Sequence, residues 1–241
     1  MRITAGADLH FQKLNEAVKN TVDNEITIDN CIGQRYIGAG VSGKRIVING
    51  TPGNALGAYM DGASIEVYGN AQDAIGDTMN GGSIEVYGNA GDAVGYAMRG
   101  GRIYIKGDAG YRVGIHMKAY KDHKPVIVIG GRTGSFLGEY QAGGILIVLG
   151  NGLNGQPIIG NFCGTGMHGG EMYLRTNEVP KLLPKQVKAE KLEKLENQEV
   201  IAIIADYCKK MGYDEEEMLK SSYYRITPDT DNPYKTMYTN N

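Results

Sequence analysis

The chain repeats itself every 19 residues, and that period limits the folds open to it more than any other feature. Ser64-Ile65-Glu66-Val67-Tyr68-Gly69-Asn70 recurs as Ser83-Ile84-Glu85-Val86-Tyr87-Gly88-Asn89. Arg102-Ile103-Tyr104-Ile105-Lys106-Gly107-Asp108 follows at the same spacing, and Arg45-Ile46-Val47-Ile48-Asn49-Gly50 precedes it. Further columns agree: Gly57, Gly76, Gly95 and Gly114; Met60, Met79, Met98 and Met117; Leu56, Ile75, Val94 and Val113. Looser copies run from Glu25 to Gly43, from Pro125 to Gly144 and from Ile145 to Gly170. A period this short signals a stacked repeat architecture.

Each copy carries a short alternating strand, with Ile65 and Val67 pointing one way and Glu66 and Tyr68 the other. No helix-length apolar stretch separates the strands, so a βαβ arrangement is excluded. One copy cannot bury its apolar face alone, whereas stacked copies make parallel ladders with continuous interior columns. The expected fold is therefore an all-β solenoid, a right-handed parallel β-helix of about seven coils with short flanking helices. Gly57, Gly76, Gly95 and Gly114 are expected to be structural turn glycines with positive φ. All but Gly6 and Gly212 of the 36 glycines lie between Gly33 and Gly170, interleaved with apolar residues. A disordered linker lacks that apolar content, and collagen needs glycine at every third position.

Residues 1–21 read as an N-terminal capping segment with a short amphipathic helix over 8–20, Asp8 as N-cap and Leu14, Ala17 and Val18 on one face. Residues 22–175 form the repeat domain, and 176–241 a charged helical tail. In that tail Val200, Ile204, Tyr207, Cys208 and Met211 mark a helix of about three turns, and Asp214 with Glu217 resembles a capping box. The end, Tyr224–Asn241, is polar and punctuated by proline. The net charge of −2 provides no basic field for nucleic acid or an anionic membrane. No apolar run is long enough to span a bilayer, and no signal-peptide core is present, so the expected location is cytoplasmic.

Motifs that suggest chemistry fail on context. Gly38-Ala39-Gly40-Val41-Ser42-Gly43 matches a dinucleotide fingerprint, and with Lys44 most of a phosphate loop. Both need a helix directly afterwards, and the strand Arg45-Ile46-Val47-Ile48 follows instead. Gly164-Thr165-Gly166-Met167-His168-Gly169 fails the same test. Glu66 and Glu85 stack on adjacent repeats like a paired acid and base, but they read as solvated outward residues beside Tyr68 and Tyr87. Asn70 and Asn89 suggest a stacked amide ladder. His10, His116, His123 and His168 lack metal-ligand spacing, and Cys31, Cys163 and Cys208 lack an evident base. No catalytic, cofactor-binding or metal residue is assigned.

Four blocks then resemble a known family. Gly50-Thr51-Pro52-Gly53-Asn54-Ala55-Leu56-Gly57, Gly110-Tyr111-Arg112-Val113-Gly114-Ile115-His116-Met117-Lys118, Phe136-Leu137-Gly138-Glu139-Tyr140-Gln141-Ala142-Gly143-Gly144 and Gly166-Met167-His168-Gly169-Gly170 are similar to the C-terminal GXGXG domain of the glutamate synthase large subunit. Tyr224-Arg225-Ile226-Thr227-Pro228 resembles the end of that subunit. The resemblance implies a β-helix and a stand-alone scaffold subunit of a split glutamate synthase, which makes glutamate from glutamine and 2-oxoglutarate. A glutaminase-type chain and an FMN-binding chain are the implied partners, with FMN and an iron–sulfur cluster held by them and no cofactor here. A homo-oligomer is compatible. The alternative is the β-helix subunit of a formylmethanofuran dehydrogenase-type complex, which shares the glycine repeat. A β-helical hydrolase or acyltransferase would need convergent acids or histidines, which the sequence does not supply. The repeat is broken at Lys118–Lys124 and Asn151–Gly160, and loops that leave strands intact are available for contacts. His116, Glu139 and His168, polar residues beside these detours, are the candidate partner interface.

Overall fold

A computed structural model describes residues 1–229; part of the polar ending, 230–241, lies outside them. The elements in chain order are β1 (Arg2–Thr4), α1 (Phe11–Asn20), β2 (Glu25–Ile32), β3 (Arg45–Thr51), β4 (Ala63–Tyr68), β5 (Gly82–Val86) and β6 (Arg102–Ile105). They continue as β7 (Val126–Ile129), β8 (Ala142–Val148), β9 (Gly169–Leu174), β10 (Val187–Leu192), α2 (Gln198–Met211), α3 (Glu215–Lys220) and β11 (Tyr223–Pro228). The repeat sets the register: Ser64 faces Ser83, Ile65 faces Ile84 and Val67 faces Val86, all in parallel. Ile46, Ile65, Ile84, Ile103 and Ile127 thus form one column with no solvent exposure.

The expected right-handed β-helix of about seven coils is corrected here. The strands form one eleven-stranded, mostly parallel open sheet in the order β1 to β9, then β11 and β10, accompanied by three helices. Its last pairs are antiparallel, β11 with β9 and with β10, which identical stacked coils do not predict. Among the described residues the links between strands form no further strands; they are joined by turn-to-turn backbone hydrogen bonds and by isolated bridges such as Ala71 with Ala90 and Ala109 with Thr133. The physical reason is that a 19-residue period dictates which residues stack, while the path of the linking chain is left to turn chemistry.

That chemistry is a ladder of side-chain oxygens. Asn70 Oδ1 accepts from Asn89 N (2.8 Å), and Asn89 Oδ1 from Asp108 N (2.9 Å). Asp73 Oδ1 accepts from Asp92 N (2.9 Å), and Asp92 Oδ1 from Tyr111 N (2.8 Å). The amide ladder expected at Asn70 and Asn89 is therefore a side-chain-to-backbone ladder. Gly57, Gly76, Gly95 and Gly114 sit in the turns with φ of +64°, +66°, +69° and +69°. A Cβ at Gly76 or Gly95 would also collide with the buried tip of Ile103 or Ile127.

Two cores flank the sheet. One is the interior of the repeats, including the isoleucine column and Met60, Met79, Met98 and Met117. The other lies on the opposite face, where Tyr104, Val126, Val128, Ile145, Ile147 and Tyr173 meet Val200, Ile203, Ile204, Tyr207, Cys208 and Met211 of α2. The apolar stripe of α2 is the one its spacing predicts. Asn197 caps the helix through Oδ1, and Gly212 ends it at φ +77°. Asp214 caps α3 by accepting from Glu217 N (3.1 Å). At α1 the N-cap is His10, whose Nδ1 accepts from Gln12 N, rather than Asp8; Leu14 and Val18 are buried as expected.

Candidate functional site

The turns between strands share one conformation: three residues with positive φ at alternate positions. Examples are Ala55, Gly57, Tyr59; Arg112, Gly114, His116; and Phe136, Gly138, Tyr140. Non-glycine residues there cost about 1–3 kcal/mol each, a cost that surrounding structure must offset. Here the ladder offsets it. Arg112 N donates to Ser135 O (2.9 Å), His116 N to Glu139 O (2.9 Å), and Gly114 N back to Val94 O (2.8 Å). Because the backbone of each turn is held by the neighbouring turns, its outer side chains stack at a fixed pitch.

His116 stacks on Tyr140, with ring centroids 5.1 Å apart and 10° between planes, and meets the edge of Tyr96 at 5.9 Å. His168, just before β9, donates its backbone N–H to Gln141 O (2.9 Å). Its Nδ1 lies 2.9 Å from Gly166 O. His116 and His168, with Lys118, Tyr140 and Ala142, line a cleft of about 370 Å³. Two of the three residues nominated from sequence therefore meet there. Glu139 does not line it: its carboxylate turns to Arg112 Nε at 3.2 Å, and Arg112 lies over the Phe136 ring. Glu139 reaches the cleft only through its carbonyl, which holds His116.

Sequence reasoning missed Lys118 and Tyr140 as lining residues, and Gln141 beneath them. Gln141 interrupts the methionine column, standing where the neighbouring turns have Met117 and Met167. It is fully buried. Its Nε2 donates to the Gly143 and Gly144 carbonyls (3.2 Å each), which an irregular register in β8 leaves in need of donors. A polar residue in an apolar column was the available signal.

A second cavity, about 270 Å³, lies between the sheet and α2 and is lined by Ser83, Ile84, Glu85, Arg102, Tyr104, Asp206 and Lys210. The reading of Glu66 and Glu85 as two solvated residues is corrected at Glu85, which is buried and paired with Lys210. Glu66 is paired with Arg45 at 2.8 Å. Each carboxylate is held by its own base, so the two do not share a proton. Asp206 accepts from Tyr104 Oη (3.0 Å) and Arg102 (3.3 Å). Burial pushes the three cysteine thiols up, Cys31 and Cys208 to about 11 and Cys163 to about 12. Raised thiols are poor nucleophiles at neutral pH. Among the described residues no group of three or more His, Cys, Asp or Glu could hold a metal ion.

Fold and site together define a repeat-built sheet protein whose turns present a mixed cationic and aromatic cleft. The chain belongs to the GXGXG motif family, whose pattern matches residues 7–229, so the family expectation raised by the glycine blocks holds. It is 40% identical over 253 aligned positions to the uncharacterized protein MJ1350 of Methanocaldococcus jannaschii, covering 96% of this chain and 94% of that one. A chain in the crystal structure of the formyltransferase/hydrolase complex (FhcABCD) from Methylorubrum extorquens, in complex with methylofuran, has a similar fold. The TM-score is 0.63 at 22% identity, over 85% of this chain and 74% of that chain. No helix among the described residues is long and apolar enough to cross a membrane.

Proposed function

We propose that this chain is a scaffold subunit that positions the catalytic chains of a multi-subunit enzyme, and that its assembly is of the formylmethanofuran dehydrogenase type. The observation that carries the scaffold reading is where the charged side chains go. Glu85, Asp206 and Glu66 are each spent on a basic partner, and the thiols are buried and raised. Exposed aromatic residues stand along the turns, among them Tyr96 and Tyr140, which meet His116 at the cleft. Aromatic residues are enriched at protein interfaces relative to the rest of the surface. The fold shared with a chain of a formyltransferase/hydrolase complex supports the choice of assembly.

A second reading, a split glutamate synthase with glutaminase and FMN-binding partners, is favoured by a specific observation. The four blocks that resemble that family fall largely on the turn edge, and Tyr224–Pro228 lies within β11. FMN and an iron–sulfur cluster would then belong to the partners. The test is purification of the tagged chain at native expression, with native mass spectrometry to identify stoichiometric partners. Chains that transfer or hydrolyse formyl groups support the first assembly; a glutaminase-like and a flavin-bearing chain support the second. A lone chain that turns over either substrate by itself would overturn the scaffold reading.

A further inference from the structure

The cleft at the turn edge carries one lysine, Lys118, whose charge the fold does not use in an ion pair. Its lining includes Lys118, His116 and His168 and no carboxylate. Glu139, the nearest acid in sequence, is neutralised by Arg112 on the other side of its turn. The adjoining insertion, Lys118–Lys124, adds Lys121 and Lys124 with Asp122 as its one acid. Lys124 is spent on Glu199 at 2.5 Å, while among the described residues neither Lys118 nor Lys121 is ion-paired. Lys121 lies over the Tyr120 ring instead, at 5.3 Å. The other walls are apolar or aromatic: Ala142, and the stacked pair His116 and Tyr140.

We propose that this cleft and the loop beside it dock an acidic segment of a partner chain, with a carboxylate beside Lys118 and the imidazoles and an apolar neighbour against Tyr140. This rests on the scaffold reading and adds the chemistry of the contact. Charge complementarity argues for an acidic occupant. The lining argues for a protein segment rather than a phosphate, because no arginine fork lines the cleft, whereas the aromatic wall offers contact area that only a larger occupant uses. The turn supports this rigidly: His116 and Tyr140 sit on positive-φ backbone held by ladder bonds, so docking orders little that is not already ordered.

The test uses the full chain and a fluorescein-labelled peptide of six glutamates flanking two phenylalanines, read by anisotropy. The double variant Lys118→Glu, Lys121→Glu should weaken binding at least tenfold, and Tyr140→Ala several-fold. The control pair Lys13→Glu, Lys19→Glu on α1 should change it less than twofold. Binding of the Lys118→Glu, Lys121→Glu protein within twofold of wild type would overturn the proposal, as would full displacement by inorganic phosphate at matched ionic strength, which marks a small-anion site. Co-purification separates the two readings. A partner lost with the double variant supports the docking surface, and a partner retained by it overturns this surface while the scaffold reading stands. Absence of any stoichiometric partner from wild type overturns both.

Discussion

The sheet has two halves that share a register and differ in what covers them. In β3 and β4 one face is buried and the other is open, so the strands alternate: Ile65 and Val67 inside, Glu66 and Tyr68 outside. On that open face Tyr68 and Tyr87 stack at 4.8 Å, and Arg45 pairs with Glu66. From β5 onward α2 and its neighbours cover the second face, and alternation gives way to continuous buried runs. All four residues of β7, Val126-Ile127-Val128-Ile129, are buried. The same parallel ladder thus supports either a solvated face or a second core, and the choice is written in the outward positions of each strand.

The largest effect that separates the halves is alkaline unfolding. Burial, foremost, pushes the Tyr104, Tyr207 and Tyr223 phenols well up, and lifts Tyr173 to about 12. All four belong to the second core. For an acid whose folded value is raised, the sign is fixed: the unfolded phenol ionises first, near 10. The stability these residues contribute is complete below that pH and is lost as pH rises through the folded values. Tyrosinate absorbance at 295 nm should therefore show a class that appears only together with loss of helical circular dichroism. Tyr207→Phe should raise the alkaline midpoint, and Tyr68→Phe, on the open face and half exposed, should move it less. Ionisation of every tyrosine with the helical signal intact would show that α2 does not seal this face.

How much of this was legible in the sequence differs by feature. The parallel register could be read outright, because Ile46, Ile65, Ile84 and Ile103 recur at the repeat period. The apolar stripe of α2 and the unbroken run in β7 were both visible, but they lie far apart in the chain, and nothing local says that one covers the other. The β-helix expectation failed because periodicity constrains stacking and not the path of the links, and because the antiparallel β10 and β11 lie outside the repeat. At the cleft, His116 and His168 were legible as polar residues beside the breaks in the repeat. Glu139 turns away from the cleft because Arg112 captures it, and Arg112 itself departs from the column of Ala55, Ala74 and Ala93. Tyr140 was missed because its role is a ring stack one turn beyond His116, which spacing alone does not announce.

The turn glycines give the next effect, and it should be alike in both halves. Gly76 and Gly95 combine positive φ with a Cβ position already occupied by the tip of an interior isoleucine. Gly76→Val and Gly95→Val should each cost about 1–3 kcal/mol from backbone strain, with crowding in addition. Gly62, with φ +88° and nothing near its Cβ position, isolates the strain component when changed to alanine. Urea melts of the three variants decide it. Midpoints at the wild-type value for the valine variants would mean that these turns relax without cost.

The smallest effect is the sharpest comparison, because it sets two ion pairs in equivalent outward positions of adjacent strands against each other. Glu66 and Glu85 face one another across β4 and β5. Glu66 is held by Arg45, and the two side chains are 18% and 49% exposed. Glu85 is held by Lys210, reaching down from α2, and the two side chains are 9% and 36% exposed. An exposed pair contributes up to about 1 kcal/mol. Removing the partner of a buried carboxylate leaves a charge with Tyr87 Oη at 3.3 Å as its remaining side-chain donor. That costs about 1–3 kcal/mol. Lys210→Met should therefore destabilise more than Arg45→Met, although each removes one cation from one glutamate. Adding Glu85→Gln should recover much of the loss at the α2 site, because the desolvated charge disappears with it. Adding Glu66→Gln to Arg45→Met should recover little. Equal costs for the lysine and arginine variants, or no recovery with Glu85→Gln, would mean that the helix shields its face of the sheet no better than open solvent does, and the division into halves would fail.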